Sequence, residues 1–97
     1  MALPVELDPR AEEEARAAFR WYRERSERAA TALEREIELA IKQIGDAPTM
    51  CPIFDGELRR LLLDRFPYAV LYATTPTRVR VVAIAHLHRR PGYWRNR

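Results

Sequence analysis

The chain has 97 residues, of which 47% are hydrophobic and 32% are charged, with a formal net charge of +3. This length is enough for one domain with one modest core, and the apolar fraction favours a folded protein over a disordered one. No apolar run approaches the roughly 20 residues that a membrane-spanning helix needs.

The charge is distributed unevenly along the chain. Residues 1–64 carry ten basic and fourteen acidic side chains, whereas residues 65–97 carry seven arginines and no acid. Such a segment points to an anionic partner, either nucleic acid or an acidic protein segment. Charges within the first ten residues argue against a signal peptide. Cys51 is the only cysteine, which excludes an internal disulfide and argues against a metal cluster. We therefore expect no metal, no cofactor and a cytoplasmic location.

The first half of the chain predicts one strand and two helices. Residues 3–7, "LPVEL", are predicted to form a short strand, and Pro4 suits a sheet edge. Asp8 then serves as the N-cap of a helix. Residues 10–44 contain neither Gly nor Pro and carry apolar stripes at helical spacing. One helix of that length would run about 50 Å, against a radius of gyration of about 12–13 Å for a domain of this size.

We therefore expect the helix to break within "RERSER", with Ser26 as the N-cap of the second helix. Gly45 is expected to end that helix. The result is a helical hairpin with an apolar inner face. The segment "DAPTMCPIFDG", with its prolines and turn-forming residues, is expected to be a loop.

The second half of the chain predicts three strands. They are "ELRRLLLDRF", "PYAVLYAT" and "RVRVVAIAHL", with residues 75–77 as the turn between the last two. Alternation in the last run predicts one face of Val79, Val81, Ala83 and Ala85, and an opposite face of Arg78, Arg80, Val82, Ile84 and His86. The order β-α-α-β-β-β indicates an α+β fold in which the helical hairpin packs on one face of a small antiparallel-rich sheet. The opposite face is expected to stay partly open, with the basic segment of residues 86–97 at its edge.

Three stretches together carry a family signature. They are "LDPRAEEEARAAFRWYRERS", "RRLLLDRFPYAVLY" and "VRVVAIAHLHRRPGYWRNR". They resemble the ParE branch of the RelE/ParE toxin superfamily, and the resemblance spans nearly the whole chain. It rests on the spacing of Phe66-Pro67-Tyr68, Tyr72, His86, Arg89 or Arg90, and Tyr93-Trp94.

The resemblance implies the toxin of a bacterial two-gene toxin–antitoxin module. It implies the same β-α-α-β-β-β fold and a cognate antitoxin whose flexible segment folds on the toxin. ParE-like members inhibit DNA gyrase, whereas RelE-like members cleave messenger RNA on the ribosome, so the fold does not decide the activity. Gyrase inhibition is the leading prediction. The alternatives are a ribosome-dependent mRNA endonuclease and a non-toxic module that acts through its bound antitoxin.

The ribonuclease alternative requires an acid, a base and cations on the phosphate. Tyr93 lies about where RelE-like members have their terminal tyrosine. Leu87, however, stands where they have an arginine, and Asp64 or its neighbours replace a basic residue ahead of the Pro-Tyr pair. If the protein cleaves RNA, the candidate catalytic residues are His86, His88, Arg90 and Tyr93. His86 has a structural alternative, as a strand end with a satisfied hydrogen bond.

The partner-binding residues are predicted to be mostly arginines. They are Arg59, Arg60, Arg78, Arg80, Arg89, Arg90, Tyr93, Trp94, Arg95 and Arg97. Pro91-Gly92 offers a turn that lets Tyr93 and Trp94 fold back onto the domain as anchors, with the arginines displayed outward. Arg59 and Arg60, adjacent in a strand, are expected to face opposite sides. Trp21-Tyr22 is either part of the core, which we favour for Tyr22, or a stacking platform for bases.

Overall fold

The computed structural model describes residues 2–97. The elements are β1 (Val5–Leu7), α1 (Pro9–Arg23), α2 (Glu27–Asp46), β2 (Ile53–Asp55), β3 (Leu58–Leu62), β4 (Tyr68–Thr74) and β5 (Val79–His86). The sheet order is β1-β5-β4-β3-β2, with β1 parallel to β5 and every other pair antiparallel. The predicted α+β fold is confirmed. The segment expected to be a loop contains one additional short strand, β2.

Local capping sets the helix boundaries. An Asp8 carboxylate oxygen accepts a hydrogen bond from the Arg10 backbone N–H at 2.8 Å, and the Ser26 hydroxyl accepts one from the Ala29 N–H at 3.1 Å. Both caps satisfy amides that a helix leaves without internal partners. The predicted break before Ser26 is therefore confirmed. No helix in residues 2–97 is both long and apolar enough to cross a membrane.

Gly45 does not end the second helix, so that prediction is wrong. The helix continues to Asp46, and Gly45 is buried within its last turn. Its carbonyl accepts the Leu3 N–H at 2.9 Å, and a Cβ at Gly45 would lie 3.1 Å from both the Leu3 carbonyl oxygen and a Val5 methyl. The glycine is needed here because the N-terminal strand passes close to the helix backbone.

The helices cover one face of the sheet. The core there contains Ala11, Ala18, Leu33, Ile37, Ala40, Ile44, Cys51, Leu63, Val70, Tyr72, Val79, Val81 and Ile84. Tyr72 is fully buried at its centre and donates a hydrogen bond to the Pro48 carbonyl at 3.0 Å. Burial raises the pKa of Tyr72 to about 12. The Tyr72 side chain thereby fixes the α2–β2 connection to the core.

A bulge in β5 reverses the sheet faces to which the following side chains point. Tyr72 pairs with Val81 and Leu71 pairs with Ala83, so Val82 is an extra residue on β5. Beyond it the side-chain alternation is reversed. Ile84 packs in the helix-side core, and Ala83 and Ala85 lie on the opposite face with Val82. The prediction that Val79, Val81, Ala83 and Ala85 share one face is therefore wrong after Val81.

The sheet face opposite the helices was expected to stay partly open, with the basic segment at its edge. The structure corrects this expectation, because the centre of that face is covered. The last residues of the chain fold back over it and bury Trp94 against β3, β4 and β5. The packed residues are Leu58, Ala69, Leu71, Val82, Ala83, Ala85 and Tyr93. The small alanines on this face leave room for an indole ring. The domain is thus a three-layer arrangement of helices, sheet and C-terminal segment.

Ile37→Asp is expected to unfold the protein. Ile37 is 8% exposed in the helix-side core, and an unpaired buried carboxylate costs several kcal/mol, against a typical total stability of about 5–15 kcal/mol. The measurement is thermal unfolding followed by far-UV circular dichroism. Leu39→Asp is the matched control, because Leu39 lies on the same helix at 55% exposure and should leave melting nearly unchanged. Equal melting of the two variants would contradict the packing described here.

Candidate functional site

Residues 87–97, here called the C-terminal segment, form a series of hydrogen-bonded turns. The Arg89 N–H donates to the His86 carbonyl at 3.0 Å, the Arg95 N–H to Gly92 at 3.1 Å, and the Arg97 N–H to Trp94 at 3.1 Å. Gly92 has φ +84°, a conformation that side-chain-bearing residues avoid. The Pro91-Gly92 sequence therefore supplies the predicted turn, and it directs the chain back across the sheet.

Asp55 fixes the middle of the segment. Its Oδ2 accepts hydrogen bonds from the Trp94 indole N–H and from Arg95 Nε, each at 3.1 Å. Trp94 itself is only 7% exposed. The Arg95 guanidinium, followed by the Trp94 donor, lowers the pKa of Asp55 below its usual range. The anchoring role predicted for Trp94 is confirmed, with Asp55 as the partner of its polar atom.

Glu14 fixes the end of the segment. Glu14 lies on α1 and its side chain is 12% exposed. Its carboxylate accepts hydrogen bonds from the Tyr93 hydroxyl at 2.6 Å and from Arg97 Nη1 at 2.7 Å. Arg89 Nη1 lies 3.4 Å from the same carboxylate. The Arg97 side chain is only 10% exposed, so the expectation that all the tail arginines point outward is wrong for Arg97.

The same two side chains also cap an open edge of the sheet. β1 pairs with β5 only as far as Val81, which leaves the next backbone groups of β5 without a neighbouring strand. The Ile84 N–H donates to Glu14 Oε1 at 3.1 Å, and Arg97 Nη1 donates to the Val82 carbonyl at 3.2 Å. Glu14 and Arg97 thus bind the backbone groups that a neighbouring strand would otherwise pair. These hydrogen bonds attach the C-terminus to both α1 and β5.

Most arginines in the acid-free last third of the sequence form ion pairs with acidic side chains from the first two thirds. Within residues 2–97, six of its seven arginines form ion pairs with acids from residues 6–55: Arg65 with Glu36, Arg78 with Glu6, Arg80 with Asp8 and Glu6, Arg89 and Arg97 with Glu14, and Arg95 with Asp55. Arg90 is exposed and has no acid within 4.0 Å in this part of the chain. The uneven charge of the sequence is therefore largely satisfied inside the domain.

Arg59 and Arg60 face opposite sides of the sheet, as expected. Arg59 pairs with Tyr72 and donates to the Cys51 carbonyl, which holds the loop before β2. Arg60 pairs with Leu71, and its guanidinium lies 4.1 Å from the centre of the Phe54 ring. Both arginines therefore have structural contacts within the domain.

Three of the four candidate catalytic residues have contacts within the domain, His86 with His88 and Tyr93 with Glu14, whereas Arg90 has no ion pair in residues 2–97. The His86 Nδ1 accepts the His88 backbone N–H at 3.1 Å, and the two rings are 5.3 Å apart. Burial, followed by the hydrogen bond to the Glu14 carboxylate, raises the pKa of Tyr93 well above its usual value of 10. Arg89 stacks 4.0 Å from the Tyr93 ring centre. No group of three metal-ligating side chains occurs among residues 2–97.

Comparison with known proteins assigns the family. Residues 5–91 match a family model described as the ParE toxin of type II toxin–antitoxin system, parDE. The chain belongs to the ParE toxin family. The ParE-like resemblance is thereby confirmed. A comparison with the curated proteins gives no match.

A solved structure from the chromosomal ParDE TA system of P. aeruginosa is similar to this ParE family member. The match covers 90% of this chain and 98% of that chain, with a TM-score of 0.77 and 16% identity. At that identity the likeness shows a shared fold.

Two functional anchors of this ParE family member, Glu14 and Asp55, were not predicted from the sequence. Glu14 follows Ala11 by three positions and precedes Ala18 by four, so it falls on the buried stripe of α1. That spacing was a usable signal, although the neighbouring acids suggested only a charged first turn. Asp55 sits before Gly56 at a strand end, and its partners are about 40 positions away along the chain. No local pattern indicates such a contact.

Glu14→Gln is expected to loosen the C-terminal segment. The change removes the charge that Arg97 and Tyr93 bind, and losing a partner for a charged hydrogen bond costs about 2 kcal/mol. For a domain of this size, that is a fall in melting temperature of about 8–16 °C. The measurement is thermal unfolding, together with a red shift of Trp94 fluorescence. Glu13→Gln, an adjacent exposed residue that pairs only with Arg16 and Arg20, is the control and should melt as wild type. Identical melting of both variants would show that the Glu14 contacts do not hold the segment.

Stability is expected to depend on pH through Asp55. Its pKa is lower in the folded state, so its stabilising contribution is complete above the unfolded value of about 3.9 and is lost as the pH falls through the folded value. Asp55→Asn should therefore be less stable than wild type in urea at neutral pH, and the difference should shrink below about pH 4. An Arg95→Gln background should reduce this pH dependence. A constant difference at all pH values would contradict the assignment.

Proposed function

We propose that this ParE family member is the toxin of a bacterial two-gene module, that it acts in the cytoplasm by inhibiting DNA gyrase, and that a cognate antitoxin neutralises it. The family match over residues 5–91 supports the toxin assignment. The gyrase target and the antitoxin follow from the resemblance of the C-terminal stretch to ParE-like members.

The observation that carries the choice of target is the state of Tyr93. An acid or base catalyst works best with a pKa near the working pH. The Tyr93 hydroxyl instead donates a hydrogen bond to Glu14, and burial and that carboxylate raise the pKa of Tyr93 further above 10. Leu87 also stands where the ribonuclease branch has an arginine. These features favour an inhibitor that acts by binding over an enzyme that cleaves RNA.

The exposed half of the C-terminal segment is the proposed contact surface for the target. Leu87 is 50% exposed, and His88, Arg89 and Arg90 are exposed with it. The inner half, with Tyr93, Trp94, Arg95 and Arg97, is bound to Glu14 and Asp55 and positions the outer half. Within the domain, Arg78 and Arg80 pair with Glu6 and Asp8 at the other end of β5 and hold β1 and α1.

Purified gyrase tests the proposal directly. Supercoiling of a relaxed plasmid should be inhibited by micromolar toxin, and Arg90→Glu should lose most of the inhibition because it reverses an unpaired charge on the contact surface. Arg28→Glu is the matched control, since Arg28 is exposed on α2 and has no acid within 4.0 Å in residues 2–97. Supercoiling that is unaffected by the wild-type protein would refute gyrase inhibition.

Two cellular measurements distinguish the other activities. Induction of the toxin without its antitoxin should stop growth without creating new 5′ ends on cellular transcripts, as read by primer extension. New 5′ ends would favour RNA cleavage instead. Unchanged growth would favour a non-toxic regulatory module.

A further inference from the structure

A cavity lies between the C-terminal half of α1 and the end of β5. Its volume is about 410 Å³, within the range of sites for small ligands. It is lined by Glu14, Ala17, Ala18, Trp21, Tyr22, Tyr68, Ile84, His86 and Arg89. Tyr22 and Tyr68 also pack against the helix-side core, whereas the Trp21 ring is exposed.

The walls of the cavity are mainly flat rings. Trp21 is 49% exposed, an unusual state for a tryptophan in a small domain, and its ring lies 4.8 Å from Tyr22 in an edge-on arrangement. Across the cavity, Tyr68 meets His86 edge-on at 5.0 Å. Arg25 covers one side of the indole at 3.7 Å. The bulge at Val82 creates this wall, because it turns Ile84 and His86 towards the helices.

One cationic side chain, Arg89, lines the cavity. It uses one of its five N–H donors in a long contact of 3.4 Å with Glu14. His88 and Arg90, its sequence neighbours, are exposed. Glu14 lies in the wall, with its oxygens already bound to Tyr93, Arg97 and Ile84. An anionic group is therefore attracted to Arg89 and repelled by Glu14.

We propose that this cavity binds one unstacked base of a single-stranded nucleic acid, with Trp21 and Tyr68 against the base and Arg89 on the adjoining phosphate. Stacking on aromatic side chains is the general way in which proteins hold unpaired bases, and a neighbouring cation matches the backbone charge. An acidic protein segment fits less well, because Glu14 opposes a carboxylate inside the cavity. The inference does not depend on gyrase inhibition, and the two can fail separately.

Fluorescence anisotropy of a labelled oligothymidylate of about eight nucleotides tests the site at low salt, with full-length protein. Trp21→Ala should weaken binding by about 5- to 150-fold, the equivalent of the roughly 1–3 kcal/mol that one stacked base contributes. Trp21→Phe, which keeps a ring, should bind within a few fold of wild type. Arg28→Ala, at an exposed arginine that does not line the cavity, should bind nearly as wild type. Circular dichroism of each variant shows that it is folded.

Salt dependence and a competitor complete the test. Arg89→Gln should reduce the slope of log affinity against log salt by about 0.7, the value for one phosphate on a single strand. Duplex DNA of the same length should compete poorly, because its bases are stacked. Equal binding by wild type and Trp21→Ala would overturn the proposal, since charge alone would then explain the affinity. Absence of oligonucleotide binding would also overturn the proposal. A change in tryptophan fluorescence, lost in Trp21→Phe, when a peptide of the antitoxin's flexible segment is added would then make the cavity a protein-binding surface.

Discussion

One partly buried carboxylate, that of Glu14, joins the layers of this domain. Glu14 accepts hydrogen bonds from the Tyr93 hydroxyl, the Arg97 guanidinium and the Ile84 N–H. A single side chain on α1 therefore holds both the last strand and the end of the chain. A carboxylate with so little exposure is costly unless charged donors surround it. The arrangement is therefore interdependent: the C-terminal segment needs Glu14 to stay in place, and Glu14 needs the segment to remain satisfied.

The same logic explains the uneven charge of the sequence. A segment with seven arginines and no acid looks like a surface for an external anion, and that is how charge counting interprets it. Here the matching acids lie earlier in the chain, at Glu6, Asp8, Glu14, Glu36 and Asp55. Within the described residues, ion pairing between the two parts leaves Arg90 as the one arginine of residues 65–97 without an acid within 4.0 Å. Charge segregation along a sequence is thus a folding signal as well as a binding signal, and only the pairing in three dimensions separates the two.

The parts of the fold that the sequence predicts are those governed by local chemistry. The caps at Asp8 and Ser26 and the turn at Gly92 depend on residues within a few positions, so their patterns are sufficient. Gly45 and the bulge at Val82 depend on close approach and on strand register, which involve β1 and β4. Local alternation therefore assigned Ile84 and His86 to the wrong face. Asp55 was missed for the same reason, since its donors come from the other end of the chain.

A fold shared at 16% identity leaves the activity to a few side chains. The proposed choice between the two activities rests on the hydroxyl of Tyr93. While the segment is docked, this hydroxyl donates a hydrogen bond to Glu14, and the low exposure of both groups strengthens that bond. Using Tyr93 as an acid or base would require breaking the contact that keeps the segment folded against α1. The proposed gyrase inhibition through exposed residues keeps that contact intact, so the bond that stabilises the C-terminus is compatible with the function proposed here.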